Sequence, residues 1–153
     1  MAALLSVIMA VLYVGAAIII KRQIPESISS MVYILPEGGW RWLWTIWLWS
    51  EGFLLIVPLT DALPDEWRII AFLTIASLVF CGAMPLFVKE QNKWHNILGV
   101  SSGILSQLCV LIINPWYLSI WILMISALRI KNKIVFIAEA ICYITILLSI
   151  KSS

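Results

Sequence analysis

Long uncharged apolar runs clipped by short charged breaks constrain this chain more than any single motif. Ala2 to Ile20 carries no charge and is ended at once by Lys21 and Arg22. A helix needs roughly 20 apolar residues to cross the ~30 Å hydrocarbon layer of a bilayer, so this run is a span by length. It lacks the basic segment that precedes the apolar core of a secretory signal, which favours a retained first span over a cleaved peptide. Further runs follow at 40–60, 68–88, 96–113, 115–128 and 134–150. The expectation is an all-α integral membrane bundle of six transmembrane helices, forming one polytopic domain over residues 1–153.

Composition agrees. With 63% hydrophobic and 12% charged residues among 153, and a mean hydropathy of +1.04, the chain has too little polar surface to coat a water-soluble globule. The net charge of +2 is small and the basic residues lie between apolar runs, leaving no footprint for nucleic acid. Cys81, Cys109 and Cys142 fall in three different runs with no metal-type spacing, and read as small buried apolar residues.

Lysine and arginine orient the spans, because loops facing the cytoplasm carry their excess. In a six-span frame one side holds Lys21, Arg22, Arg41, Lys89, Lys93, Arg129, Lys131 and Lys133, and the other only Arg68 and Lys151. Both termini are therefore expected on the non-cytoplasmic side, with the acidic turn from Asp61 to Glu66. The expected setting is a bacterial cytoplasmic membrane. The fifth run is short: 14 residues rise only ~21 Å as an α-helix. Asn114-Pro115 allows only a tight turn before it, so runs four and five are expected as antiparallel neighbours. Between the first two runs, Ile28, Met31, Val32 and Leu35 recur at helical spacing after Ser27, which predicts either a short interfacial helix over 27–35 or an extended strap.

Acids inside spans are costly and usually mark sites. Glu51 and Glu139 lie near the middle of the second and sixth runs, and Gln107 is at a comparable level in the fourth. Two readings stand: a proton- or cation-handling path, or protonated carboxyls that peg neighbouring helices together. The lone histidine, His95, at the mouth of the fourth run, is an ordinary interfacial residue or a proton relay. Gly99, Ser102, Gly103 and Ser106 form a small-residue face suited to close helix packing. Nine tryptophans, five between Trp40 and Trp49, fit interfacial anchoring, with Trp40, Trp42 and Trp44 near the cytoplasmic end.

The stretch Cys81-Gly82-Ala83-Met84-Pro85-Leu86-Phe87, with His95-Asn96 beyond a polar turn, resembles a pattern in small uncharacterised bacterial and phage membrane proteins. With Ser27, Ser29 and Ser30 it is also distantly similar to the ceramidase-like and hemolysin III-like membrane hydrolases, in which Ser, Asp and several His hold zinc. That resemblance implies a seven-span metal hydrolase. Here His95 is the single imidazole and Asp61 lies at the opposite face, whereas zinc needs three or four convergent ligands, so neither metal nor cofactor is carried over. The function expected first is a non-catalytic bundle acting through helix packing, within the lipid bilayer, on a second copy or another membrane protein. The alternative is a small-solute or proton-coupled transporter or channel-like protein using Glu51 and Glu139. A membrane-embedded metal hydrolase comes third.

Overall fold

A computed structural model describes residues 1–22, 24–29, 31–34, 39–87, 93–127 and 133–152. The described residues are helical, in the order α1 (Ala2–Lys21), α2 (Met31–Ile34), α3 (Gly39–Ala62), a 3₁₀ turn (Asp65–Trp67), α4 (Arg68–Phe87), α5 (Lys93–Ile113), a 3₁₀ stretch (Pro115–Ile122), α6 (Leu123–Ala127) and α7 (Ile134–Ser152). Five helices are long and apolar enough to cross a membrane: α1, α3, α4, α5 and α7.

The fifth apolar run takes a different form from its five companions. It is 3₁₀ over Pro115–Ile122 and α-helical only over Leu123–Ala127; residue 128 lies outside the described residues. A 3₁₀ helix rises ~2.0 Å per residue against ~1.5 Å, so these thirteen residues reach roughly 23 Å. Asn114 starts the stretch by accepting a hydrogen bond from the Trp116 amide at 3.2 Å, with Pro115 in the first turn, where its missing N–H costs nothing. The chain then folds back against α5, and Trp121 Nε1 donates to Gln107 Oε1 at 2.8 Å.

α7 begins beside the connection that leaves α1: the Phe136 amide donates to the Glu26 carbonyl at 2.9 Å, and Lys133 Nζ donates to the Ile24 carbonyl. It finishes among the ends of α3 and α5, where Leu55, Leu59, Leu63, Val110 and Ile146 share one buried cluster. The bundle thus has a strap end, with residues 24–29 and 31–34 and the starts of α3, α5 and α7, and a turn end, with Leu63, Asn114 and the close of α7.

Helices α3 and α4 pack closely because each presents a glycine at the contact. A Cβ on Gly52 would lie 3.0 Å from Val79 Cγ2, and one on Gly82 would lie 2.8 Å from Leu48 Cβ. Thr45 Oγ1 donates to the Gly82 carbonyl at 2.8 Å, fixing the approach. Gly82→Ala is accordingly expected to destabilise the bundle by about 1–3 kcal/mol, the usual cost of overpacking. Unfolding in a denaturing-detergent titration reads this, and an unchanged midpoint would show that the helices can part without loss.

Of the two forms expected over 27–35, a short interfacial helix or an extended strap, the described residues take elements of both. Only Met31–Ile34 is helical, residues 30 and 35 lie outside the described residues, and Met31 and Val32 are fully buried. The apolar spacing of Ile28, Met31 and Val32 does mark an inward face, but the segment is tucked into the bundle end, with Met31 packed on Ala17 and Val32 in a cluster with Trp44 and Trp47. Burial pushes the Tyr33 phenol up to about 12, and its hydroxyl has no hydrogen-bond partner among the described residues.

Tryptophan placement also departs from simple interfacial anchoring. Trp42, Trp67, Trp94 and Trp116 are exposed, but Trp44 and Trp47 are buried. Trp44, Trp47, Leu48, Glu51, Leu55 and Leu59 recur at helical spacing and form the inner face of α3. Tyr13 of α1 stacks on Trp47 with ring centres 4.6 Å apart, and Trp44 meets Trp47 edge-on at 5.3 Å.

Candidate functional site

Glu51 is 2% exposed and both its carboxylate oxygens are engaged. Trp47 Nε1, one turn earlier on α3, donates to Oε1 at 3.0 Å. Ser6 Oγ of α1 donates to Oε2, and Tyr143 Oη of α7 donates to the same oxygen at 3.2 Å. The Ser6 and Tyr143 hydroxyls also lie within hydrogen-bond distance of each other, so their two protons are shared among three contacts with each other and the carboxyl. Three helices therefore converge on one carboxyl. Ser6 sits near the start of α1 yet meets the middle of α3, so α1 is displaced along the bundle toward the strap end.

Glu139 does different work. Its carboxylate accepts the Ile28 amide on Oε2 and the Ser29 amide on Oε2 at 3.2 Å and Oε1 at 3.4 Å. His95, fully buried, donates from Nε2 to the Ser29 carbonyl at 3.0 Å, with Nδ1 beside Cys81 Sγ at 3.7 Å. Tyr33 meets the imidazole edge-on at 5.2 Å. Along the first turns of α7, Lys133, Phe136 and Glu139 in succession hold the strap. The Glu26 carbonyl takes a helix-start amide that has no partner within α7, which is why strap and helix start fit together.

Both acids line one cavity of about 660 Å³ in the bundle. That volume falls in the range of small-molecule sites, roughly 300–1,000 Å³. Its walls are mostly apolar, with Trp44, Trp47, Trp121 and Tyr143 as the aromatic surfaces, and Ile28 and Ser29 of the strap at one end. Tyr143 lies four residues after Glu139, about 6 Å along the axis, so the two carboxyls stand at depths about one helical turn apart. Among the described residues neither carboxyl has a lysine or arginine beside it.

Gln107 lines the same cavity but bonds to neither acid. Its Nε2 donates to Ser106 Oγ at 3.2 Å and Thr145 Oγ1 at 3.1 Å, and its Oε1 accepts from Trp121. It ties the 3₁₀ stretch to α5 and α7. The small-residue face is spent inside the bundle: Ser102 and Ser106 are buried, a Cβ on Gly99 would rest 3.8 Å from Cys81 Sγ, and one on Gly103 would rest 3.7 Å from Cys142 Sγ. These glycines meet α4 and α7 of the same chain.

Sequence reasoning reached Glu51, Glu139 and Gln107, which line one cavity although Gln107 bonds to neither acid, and it missed Ser6, Trp47, Tyr143 and the strap amides. Trp47 had a signal, since Trp47 and Glu51 are one helical turn apart, where side chains meet. Ser6 and Tyr143 are 45 and 92 residues from Glu51, with no local pattern to join them. Comparison of the chain with protein-family models, curated proteins and solved structures finds no match.

Proposed function

We propose that this is a multi-pass integral membrane protein of the bacterial cytoplasmic membrane that binds a small solute inside its helical bundle and acts as a proton-coupled transporter or channel-like protein. The observation that carries the reading is the cavity of about 660 Å³ whose lining includes both Glu51 of α3 and Glu139 of α7. Two acids without a neighbouring cation are costly in such surroundings as charged groups, a cost that a bound proton or a positively charged solute removes. Large apolar side chains, among them Leu12, Phe53, Phe72, Ile104 and Ile144, are exposed on the outer faces of the five long helices, as a surface solvated by lipid requires.

Six spans with both termini outward is the topology this reading adopts. The 3₁₀ stretch and α6 carry the chain from the turn end back to the strap end, where most of the described basic residues lie. A cysteine placed at Lys131 should react with a membrane-impermeant maleimide only after the cells are opened; reaction in intact cells would reverse the orientation.

The packing reading loses support from the small-residue face, which is occupied within the chain. A hydrolase reading loses support from His95, whose ring is engaged by the Ser29 carbonyl and Cys81. The deciding test is proton flux in proteoliposomes, read with an entrapped pH dye under an imposed potential. Wild-type protein should carry protons above the level of empty vesicles. Glu51→Gln and Glu139→Gln should cut the flux about tenfold or more, the scale of losing a group that exchanges the proton itself. Flux equal to empty vesicles would end the transport reading.

A further inference from the structure

We propose that the cavity takes a lipophilic organic cation that reaches the site sideways from the bilayer. The inference rests on the solute-binding reading above and assigns its ligand class.

Charge comes first. Glu51 has three hydroxyl or N–H donors and Glu139 two backbone amides, yet neither has a cationic side chain beside it among the described residues. Donors of this kind hold a carboxyl in place without supplying a counter-charge, so a buried carboxyl is neutral only while it keeps its proton. A cation inside the cavity can take that proton's place. The aromatic walls suit the same ligand, because the faces of Trp and Tyr rings attract cations, most strongly where water is excluded.

The route follows from the wall itself. Val100 and Ile104, in the middle of α5, and Val135, at the start of α7, line the cavity while being 61%, 60% and 55% exposed. The cavity therefore opens through the side of the bundle, onto the surface assigned above to lipid, rather than only at an end facing water.

Cation and proton compete for the carboxylates, so each cation bound releases the proton its carboxyl held. Binding tightens as pH rises and weakens as it falls. The other titratable groups around the two acids are Tyr13 of α1 through Trp47, Cys81 of α4, Cys142 and Tyr143 of α7, and His95 of α5 through the Ser29 carbonyl. Removing the carboxyls one at a time separates their contribution from these.

The test is calorimetric titration of the full chain in neutral detergent with (4-methoxyphenyl)triphenylphosphonium, against triphenylphosphine oxide, a neutral acceptor of related shape. The expected result is saturable binding of the phosphonium, tighter at higher pH, with the oxide weaker by about tenfold or more, the scale of one lost charge contact. Glu51→Gln and Glu139→Gln should each weaken the phosphonium to a similar degree and flatten its pH dependence. Equal binding of both probes, unaffected by pH, would overturn the cation assignment while leaving a solute cavity in place. Failure of both probes to bind would overturn the solute-binding reading as well. The wild-type comparison of probes and pH stands even if a variant fails to fold.

Discussion

Glu51→Ala is expected to destabilise the bundle by about 1–3 kcal/mol, mainly by leaving the buried Trp47 N–H without an acceptor. The sign depends on two opposing terms. Removing the carboxyl removes the cost of burying it, but Trp47, at 8% exposed, has no second acceptor, and the shortened side chain enlarges the cavity. Ser6 and Tyr143 lose less, because their hydroxyls remain bonded to each other. Glu51→Gln keeps an oxygen for Trp47 and should lie closer to wild type. A double-mutant cycle with Trp47→Phe isolates the pair, with a coupling of about 1 kcal/mol expected for a contact of this kind. Additive effects would mean that the hydrogen bond contributes nothing to stability.

Glu139→Ala should release the strap while leaving the long helices assembled. Two backbone amides, of Ile28 and Ser29, lose a charged acceptor, and hydrogen bonds to charged groups are each worth about 1.5–3 kcal/mol. Local opening should become easier by about a hundredfold or more, since 1.4 kcal/mol is a factor of ten. Ser27 is 7% exposed and offers a reporter. In a background lacking Cys81, Cys109 and Cys142, a Ser27→Cys variant should react slowly with a thiol reagent when Glu139 is present and far faster when it is replaced. Amide exchange at Ile28 and Ser29 should rise in parallel. If labelling stays slow, His95 and the burial of Met31 and Val32 hold the strap without help from the acid.

These two acids illustrate how far local patterns reach. The apolar periodicity of α3 names its inner face, and Glu51 falls on that face with Trp44 and Trp47. Anchoring at the interface is the simpler expectation for this tryptophan run; Trp42 is exposed, but spacing along the helix turns Trp44 inward. The small-residue face of α5 was equally legible as a packing surface; its partners were not. Small side chains announce a close approach, but the approaching helix is chosen by how the whole bundle closes.

The fifth apolar run makes the same point from backbone geometry. Its shortness is evident from the residue count, while the partly 3₁₀ form that lengthens its reach emerges only with Asn114 capping one end and Gln107 bonding Trp121 further along. Likewise, the spacing of Ile28, Met31 and Val32 indicates an inward face without revealing that the segment lies tucked beneath Glu139 and His95.

By itself the sequence determined the helical class, the long apolar helices, the charge asymmetry between the two ends and the presence of two acids within apolar runs. These follow from periodicity and from the cost of placing charge in an apolar medium, which act over one or a few helical turns. The tertiary structure alone decided that Glu51 is held by Ser6, Trp47 and Tyr143, that Glu139 pins a strap, and that both line one cavity. Those outcomes depend on the relative depth and rotation of helices far apart in the chain, and such alignments are set by packing across the bundle, where residues distant in sequence become neighbours.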